Sequence, residues 1–245
     1  MVSHNRWVSR LSWALVVLAV ISAVVALMFA LGYLRPPHDE ADFVERLVAN
    51  RNSDTEAFPF VVLGSLASVG VFLIAALLGV ALRVWAPATP QRDAMTTLLV
   101  IGGVLGIGAN LLNIAVGEAA TIGYCDCGYR TEEVIGLNYA LTVGWSGVNW
   151  LTIGAVTLVG VGVAIAGRII DVSPAWQTVS YLIAALLIVA VALRVIAAFI
   201  FIQAFDPSQI SDLLTAVAVG ILVPIWAILL ARGVGRSAPE PATAA

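Results

Sequence analysis

The chain is predicted to be an all-α polytopic membrane protein, with six transmembrane helices in one bundle. Two observations predict this. Six long apolar runs each hold enough residues to cross a hydrocarbon core, which takes about 20 residues of helix at 1.5 Å each. The arginines fall almost entirely in alternate gaps between those runs. Composition agrees: of 245 residues, 61% are hydrophobic and only 11% charged, well below the charged share of soluble domains. Backbone polar groups in lipid must be paired internally, so runs of this length are helices.

The first run, residues 11–34, is longer than the ~7–15 residues of a signal-peptide core, so it is read as a span. Pro36-Pro37 ends it, because proline lacks the amide hydrogen and clashes with the preceding turn. In the gap that follows, Phe43, Val44, Leu47 and Val48 share one helical stripe. That pattern predicts a short amphipathic helix over 39–51 in the first outer loop, lying on the membrane or capping the bundle mouth. Asp39 would be its N-cap, and Asp42 would suit the first turn of its dipole.

Span 2 covers 60–85 and span 3 covers 95–116, the latter with a GxxxG at Gly102 and Gly106 that lets backbones approach closely. Span 4 covers 140–167, although 134–167 reads as helix throughout, about 51 Å and more than a bilayer needs. Either its outer end projects, or 134–138 forms a separate surface turn. Span 5 covers 176–205. Span 6 covers 213–231, where Pro224 should kink the helix and free the carbonyl of Gly220. The bundle accounts for 1–236. The tail 237–245 (SAPEPATAA) is Pro/Ala-rich without periodicity and reads as disordered and cytoplasmic.

Orientation follows from the arginines, since there is no lysine. Arg6, Arg10, Arg83, Arg92, Arg168, Arg232 and Arg236 belong to one side, and only Arg35, Arg46, Arg51 and Arg130 to the other. Basic residues are retained in the cytoplasm, so both termini are expected there, in a multi-pass protein of the cell's inner membrane. Twelve of the fifteen acidic residues then lie outside, among them Glu118, Asp126 and Asp212. A test is direct. Cysteines introduced at Ser173 and Ser237 should resist membrane-impermeant thiol reagents in intact cells, while one at Asn52 should react; outside labelling at 237 would reverse the orientation.

Arg194 is the one charge well inside a span. Counting along span 5 puts it about 5 Å into the outer half, where a buried charge needs a partner or water. Similar counting places Asn110 and Asn149 about 6 Å, and Asn113 about 10 Å, outward of mid-span, with Ser65, Ser68 and Thr215 near the same height. A guanidinium with amides and hydroxyls at its own depth would line a cavity for a carboxylate, a phosphate or a lipid headgroup. Alternatively, Arg194 is interhelical glue, donating to Asn110, Asn149 or freed carbonyls, or reaching toward Glu118.

The outer pair Cys125 and Cys127 is the second candidate site. Thiols outside the membrane tend to be oxidised, and a disulfide closing so small a ring is strained and easily reduced, which suits thiol exchange. With Asp126 the two thiolates could instead bind a soft metal, though the ligand set is incomplete. A bridge that merely rigidifies the loop or joins subunits is the third reading.

No phosphate loop, HExxH, CxxC or nucleophile elbow is present, and no basic patch suggests nucleic acid. No cofactor and no resident metal are expected. The sequence therefore points first to a non-enzymatic membrane partner or structural component, associated with the lipid bilayer and with a membrane-protein partner or further copies of itself. A transporter or receptor for a small anionic or lipidic ligand, built on the Arg194 layer, is the alternative. An outer-face thiol oxidoreductase using Cys125 and Cys127 is the second alternative.

Overall fold

The computed structural model describes residues 2–31, 33–34, 43–123, 131–199 and 207–236, and all regular structure among them is helical. The helices are α1 (Val2–Ala30), α2 (Phe43–Leu82), α3 (Pro90–Gly123), α4 (Thr131–Ile169), α5 (Pro174–Phe199), α6 (Pro207–Val217) and α7 (Val223–Arg236), with a π-turn (Ala218–Leu222) between the last two. Among the described residues six stretches are long and apolar enough to cross a membrane, and the sixth, Ile210–Gly233, runs through α6, the π-turn and α7.

The helices overrun the apolar runs, and the reasons are local. Residues 43–51, read from sequence as part of a separate outer-loop helix, are the opening turns of α2, which continues through Pro59 to Leu82. Pro59 is exposed, so water can satisfy the carbonyl it leaves free, and it need not break the helix. The proposed cap residues Asp39 and Asp42 lie outside the described residues. Helix α4 is continuous over 39 residues, about 58 Å and longer than a bilayer needs, and no separate turn forms over 134–138. Helix α5 extends to Phe199, and 200–206 lie outside the described residues.

Each span packs on the next in the chain, and α7 with the π-turn packs back on α1, closing a ring of six spans. Both terminal segments finish at one end of this ring. His4 Nε2 lies 3.1 Å from the carbonyl of Ala81, at the end of α2. Gly233 of α7 abuts Val172 in the turn between α4 and α5. That end is called the terminal end below, and the opposite one the far end.

Glycine lets α3 sit tightly between two neighbours. A Cβ on Gly102 would meet the backbone nitrogen of Val159 in α4 at 3.0 Å, and one on Gly106 would strike the Phe72 ring of α2. The GxxxG thus serves contacts within the chain, one glycine toward each side. In span 6 the π-turn handles Pro224. The Val223 N–H bonds the carbonyl of Ala218, five residues back, so the helix restarts with proline in its first turn, where an amide hydrogen is dispensable.

The two halves of the ring differ. Toward the terminal end the interior is filled by one cluster that includes Val8, Leu78, Leu82, Met95, Ile170, Trp176, Ile183 and Leu230, all at most 2% exposed. Trp176 and Trp226 stack there with centroids 5.3 Å apart, and the Trp226 indole N–H donates to Ser180 Oγ at 2.8 Å. At the far end, among the described residues, only a small cluster remains between α3 and α4, formed by Val116, Ala120 and Leu141 with Leu137 and Trp145. Exposed Val17, Val24, Leu66, Leu73, Val104 and Leu111 give the outer surface an apolar character suited to acyl chains.

A polar cavity in the far half of the bundle

Where the terminal-end core stops, a cavity of about 490 Å³ begins. All six spans line it: Ser22 and Phe29 from α1, Ser65 and Ser68 from α2, Asn110 and Asn113 from α3, Trp145 from α4, Arg194 from α5 and Asp212 from α6. Its level is set by helix length. Asn110, Asn149 and Arg194 each stand 20 residues from the terminal-end limit of their helices, at Pro90, Ile169 and Pro174. At the standard rise that is about 30 Å, so the three share one layer.

Arg194 is held from two sides. Its Nε donates to Asn149 Oδ1 at 2.8 Å, and its Nη1 donates to Asp212 Oδ1 at 2.8 Å, tying α5 to α4 and to α6. The arginine side chain is 29% exposed and the aspartate 59%, so the ion pair fronts the cavity instead of being sealed in packed protein. Ser211, one residue earlier and 4% exposed, donates to the carbonyl of Ala190 at 2.8 Å and fixes α6 on α5. Placed within a turn of each other, these bonds orient Asp212 inward.

The facing wall carries two further polar pairs. Asn113 Nδ2 donates to Ser65 Oγ at 3.1 Å, joining α3 to α2. Ser68 donates to the carbonyl of Gly64 at 2.9 Å, and Ser22 Oγ lies 2.7 Å from Ser68 Oγ. A hydroxyl has one hydrogen, so with that of Ser68 committed, Ser22 is the donor between them.

The sequence-predicted residues are therefore brought together in part. Arg194, Asn110, Asn113, Ser65 and Ser68 all line one space, and Asn149 stands behind Arg194 as its orienting acceptor. Asn110 does not bond Arg194; its amide donates to the carbonyl of Gly106 one turn back. Thr215 is not part of the lining, and its hydroxyl donates to the carbonyl of Ser211 in its own helix. The carboxylate on Arg194 is Asp212 rather than Glu118. The sequence shows Asp212 as an acidic residue just before the sixth apolar run, which begins at residue 213. Pro207, a favourable first residue for a helix, was the signal that the helix begins earlier. Ser22 gives no signal, since a single hydroxyl amid Ile21, Ala23 and Val24 is easily accommodated in an apolar run. Cys125 and Cys127 lie outside the described residues. Comparison with family models, with curated proteins and with solved structures finds no match for this chain.

Proposed function

We propose that this protein is a membrane receptor or transporter, which accepts a small polar ligand into the cavity around Arg194 and performs no covalent chemistry on it. One observation carries the reading: a space of about 490 Å³, lined by all six spans and floored by packed side chains, gathers Arg194, Asp212, Asn110, Asn113, Ser22, Ser65 and Ser68 on its walls. That volume falls in the range of roughly 300–1,000 Å³ common for ligand pockets. A filled interior would suit the purely structural or partner role that the sequence placed first; a polar hollow favours binding. The far end faces outward on this reading, with the protein in the cell's inner membrane and both termini in the cytoplasm. Support comes from the arginines, since Arg6, Arg10, Arg83, Arg92, Arg168 and Arg232 stand at the terminal end.

The test is chemical access. In a protein with Cys125 and Cys127 changed to serine, Asn110→Cys should react with a small water-soluble thiol reagent added outside intact cells. Ala166→Cys, at a position with no exposure in the terminal-end core, should not react. A folded protein whose Cys at 110 stays unmodified would leave a dry bundle and a structural role.

A further inference from the structure

Resting on the reading that the cavity binds a ligand, we infer that this ligand is a compact zwitterion, with an anionic group and an ammonium group joined through one or two carbons. Among the described residues, the only charged side chains lining the space are Arg194 and Asp212, and they are of opposite sign and in contact at 2.8 Å. A lone anion arriving at Arg194 would meet the Asp212 carboxylate beside it. A lone cation meets the same obstacle from Arg194. A zwitterion adds no net charge. Its anionic group can take charge-assisted hydrogen bonds from the guanidinium while its ammonium donates to the carboxylate, so that one ion pair is exchanged for two complementary contacts.

Contact between the two protein charges also limits size, because the ligand's own charges must be close enough to reach both. Across the cavity, Ser65 and Asn113 supply hydroxyl and amide groups for further ligand oxygens, and Phe29 and Phe58 supply apolar surface for its carbon skeleton. Two sources share this chemistry: the headgroup of a zwitterionic phospholipid and a free amino acid. The sequence had suggested an anion from Arg194 alone; Asp212 is what changes the preference.

The experiment is a binding titration on the full-length protein in an uncharged maltoside detergent, read by thermal shift and by direct affinity. Four probes are compared: glycerophosphoethanolamine and alanine as zwitterions, glycerophosphoglycerol as the anion, and ethanolamine as the cation. At least one zwitterion should bind about tenfold or more tighter than either singly charged probe, a separation that charge complementarity readily produces. Preference for glycerophosphoethanolamine identifies a headgroup source, and preference for alanine an amino-acid source. Asp212→Asn should shift the preference toward glycerophosphoglycerol, and Arg194→Gln toward ethanolamine, a reversal that a merely structural ion pair would not give. Should either variant fail to fold, the wild-type ranking still decides. Equal binding of the anion or the cation overturns the zwitterion while leaving a ligand cavity. Binding of no probe overturns the zwitterion as well; combined with an unreactive cysteine at position 110, it overturns the cavity reading too.

Discussion

Valine in place of Gly103 should abolish most of the folded protein recovered from membranes, and alanine there should already lower thermal stability. A Cβ at this position would lie 2.7 Å from the carbonyl oxygen of Phe72 and 2.8 Å from the Cβ of Ala76, both in α2. The first of these atoms is backbone and the second is rooted on it, so no rotamer change relieves the clash. Helices α2 and α3 would have to separate. Overpacking of a close contact costs about 1–3 kcal/mol and more when backbone must move, and this seam also carries the Asn113–Ser65 bond. Gly108 is the control, since its Cβ would meet nothing within 4 Å. Gly108→Ala should be neutral or slightly stabilising, because alanine is the better helix former. Size-exclusion profiles and melting curves in detergent measure both. Equal behaviour of the 103 and 108 variants would remove close approach as the basis of the α2–α3 seam.

Truncating Trp226 to alanine should destabilise the protein by about 3–5 kcal/mol, the usual cost of deleting a buried large aromatic. Trp226 is 4% exposed, stacks on Trp176 and donates its indole N–H to Ser180, so it fastens α7 to α5. Trp226→Phe separates the contributions. It keeps an aromatic ring against Trp176 and loses the hydrogen bond, and should cost about 0.5–1.5 kcal/mol for that bond plus a little lost packing. Ser180 is not stranded by the change, because its own hydroxyl hydrogen already goes to the carbonyl of Trp176 at 2.9 Å. Unfolding in mixed detergent gives the comparison. If alanine proves no worse than phenylalanine, the stack contributes nothing and the filled half is held by its aliphatic residues.

How much of this was legible in the sequence depended on range. The six spans were legible because lipid imposes one rule on every residue of a run, and a stretch such as Leu11 to Leu31 meets it without reference to any other segment. Helix ends were not. The apolar stripe at Phe43 and the apolar run from residue 60 read as two elements, but α2 is one helix from Phe43 to Leu82, continuous through Pro59. Depth counting along single helices brought Asn110, Asn149 and Arg194 to one level, because a straight helix converts residue number into height. It could not give azimuth. Thr215 has the right height and is nonetheless absent from the lining, whereas Asp212 and Ser22 face inward. Rotation about a helix axis is fixed by packing between helices distant in sequence, such as the contact of Gly220 with Ala23, and no local pattern records it.

The division into a filled and a hollow half also has an electrical consequence. A membrane potential falls across whatever insulates, and side chains packed as tightly as Leu78, Leu82, Met95 and Trp176 insulate while a water-filled vestibule conducts. With water in the cavity, as the proposed binding function requires, most of the voltage would drop across the terminal-end half. Moving a unit charge through the whole field involves about 2.3 kcal/mol per 100 mV, but Arg194 and Asp212 stand at the conducting side of the barrier and feel little of it. On the proposed reading, a ligand would reach them at nearly the potential of the far compartment, and its occupancy should track concentration there, whatever the energisation of the cell.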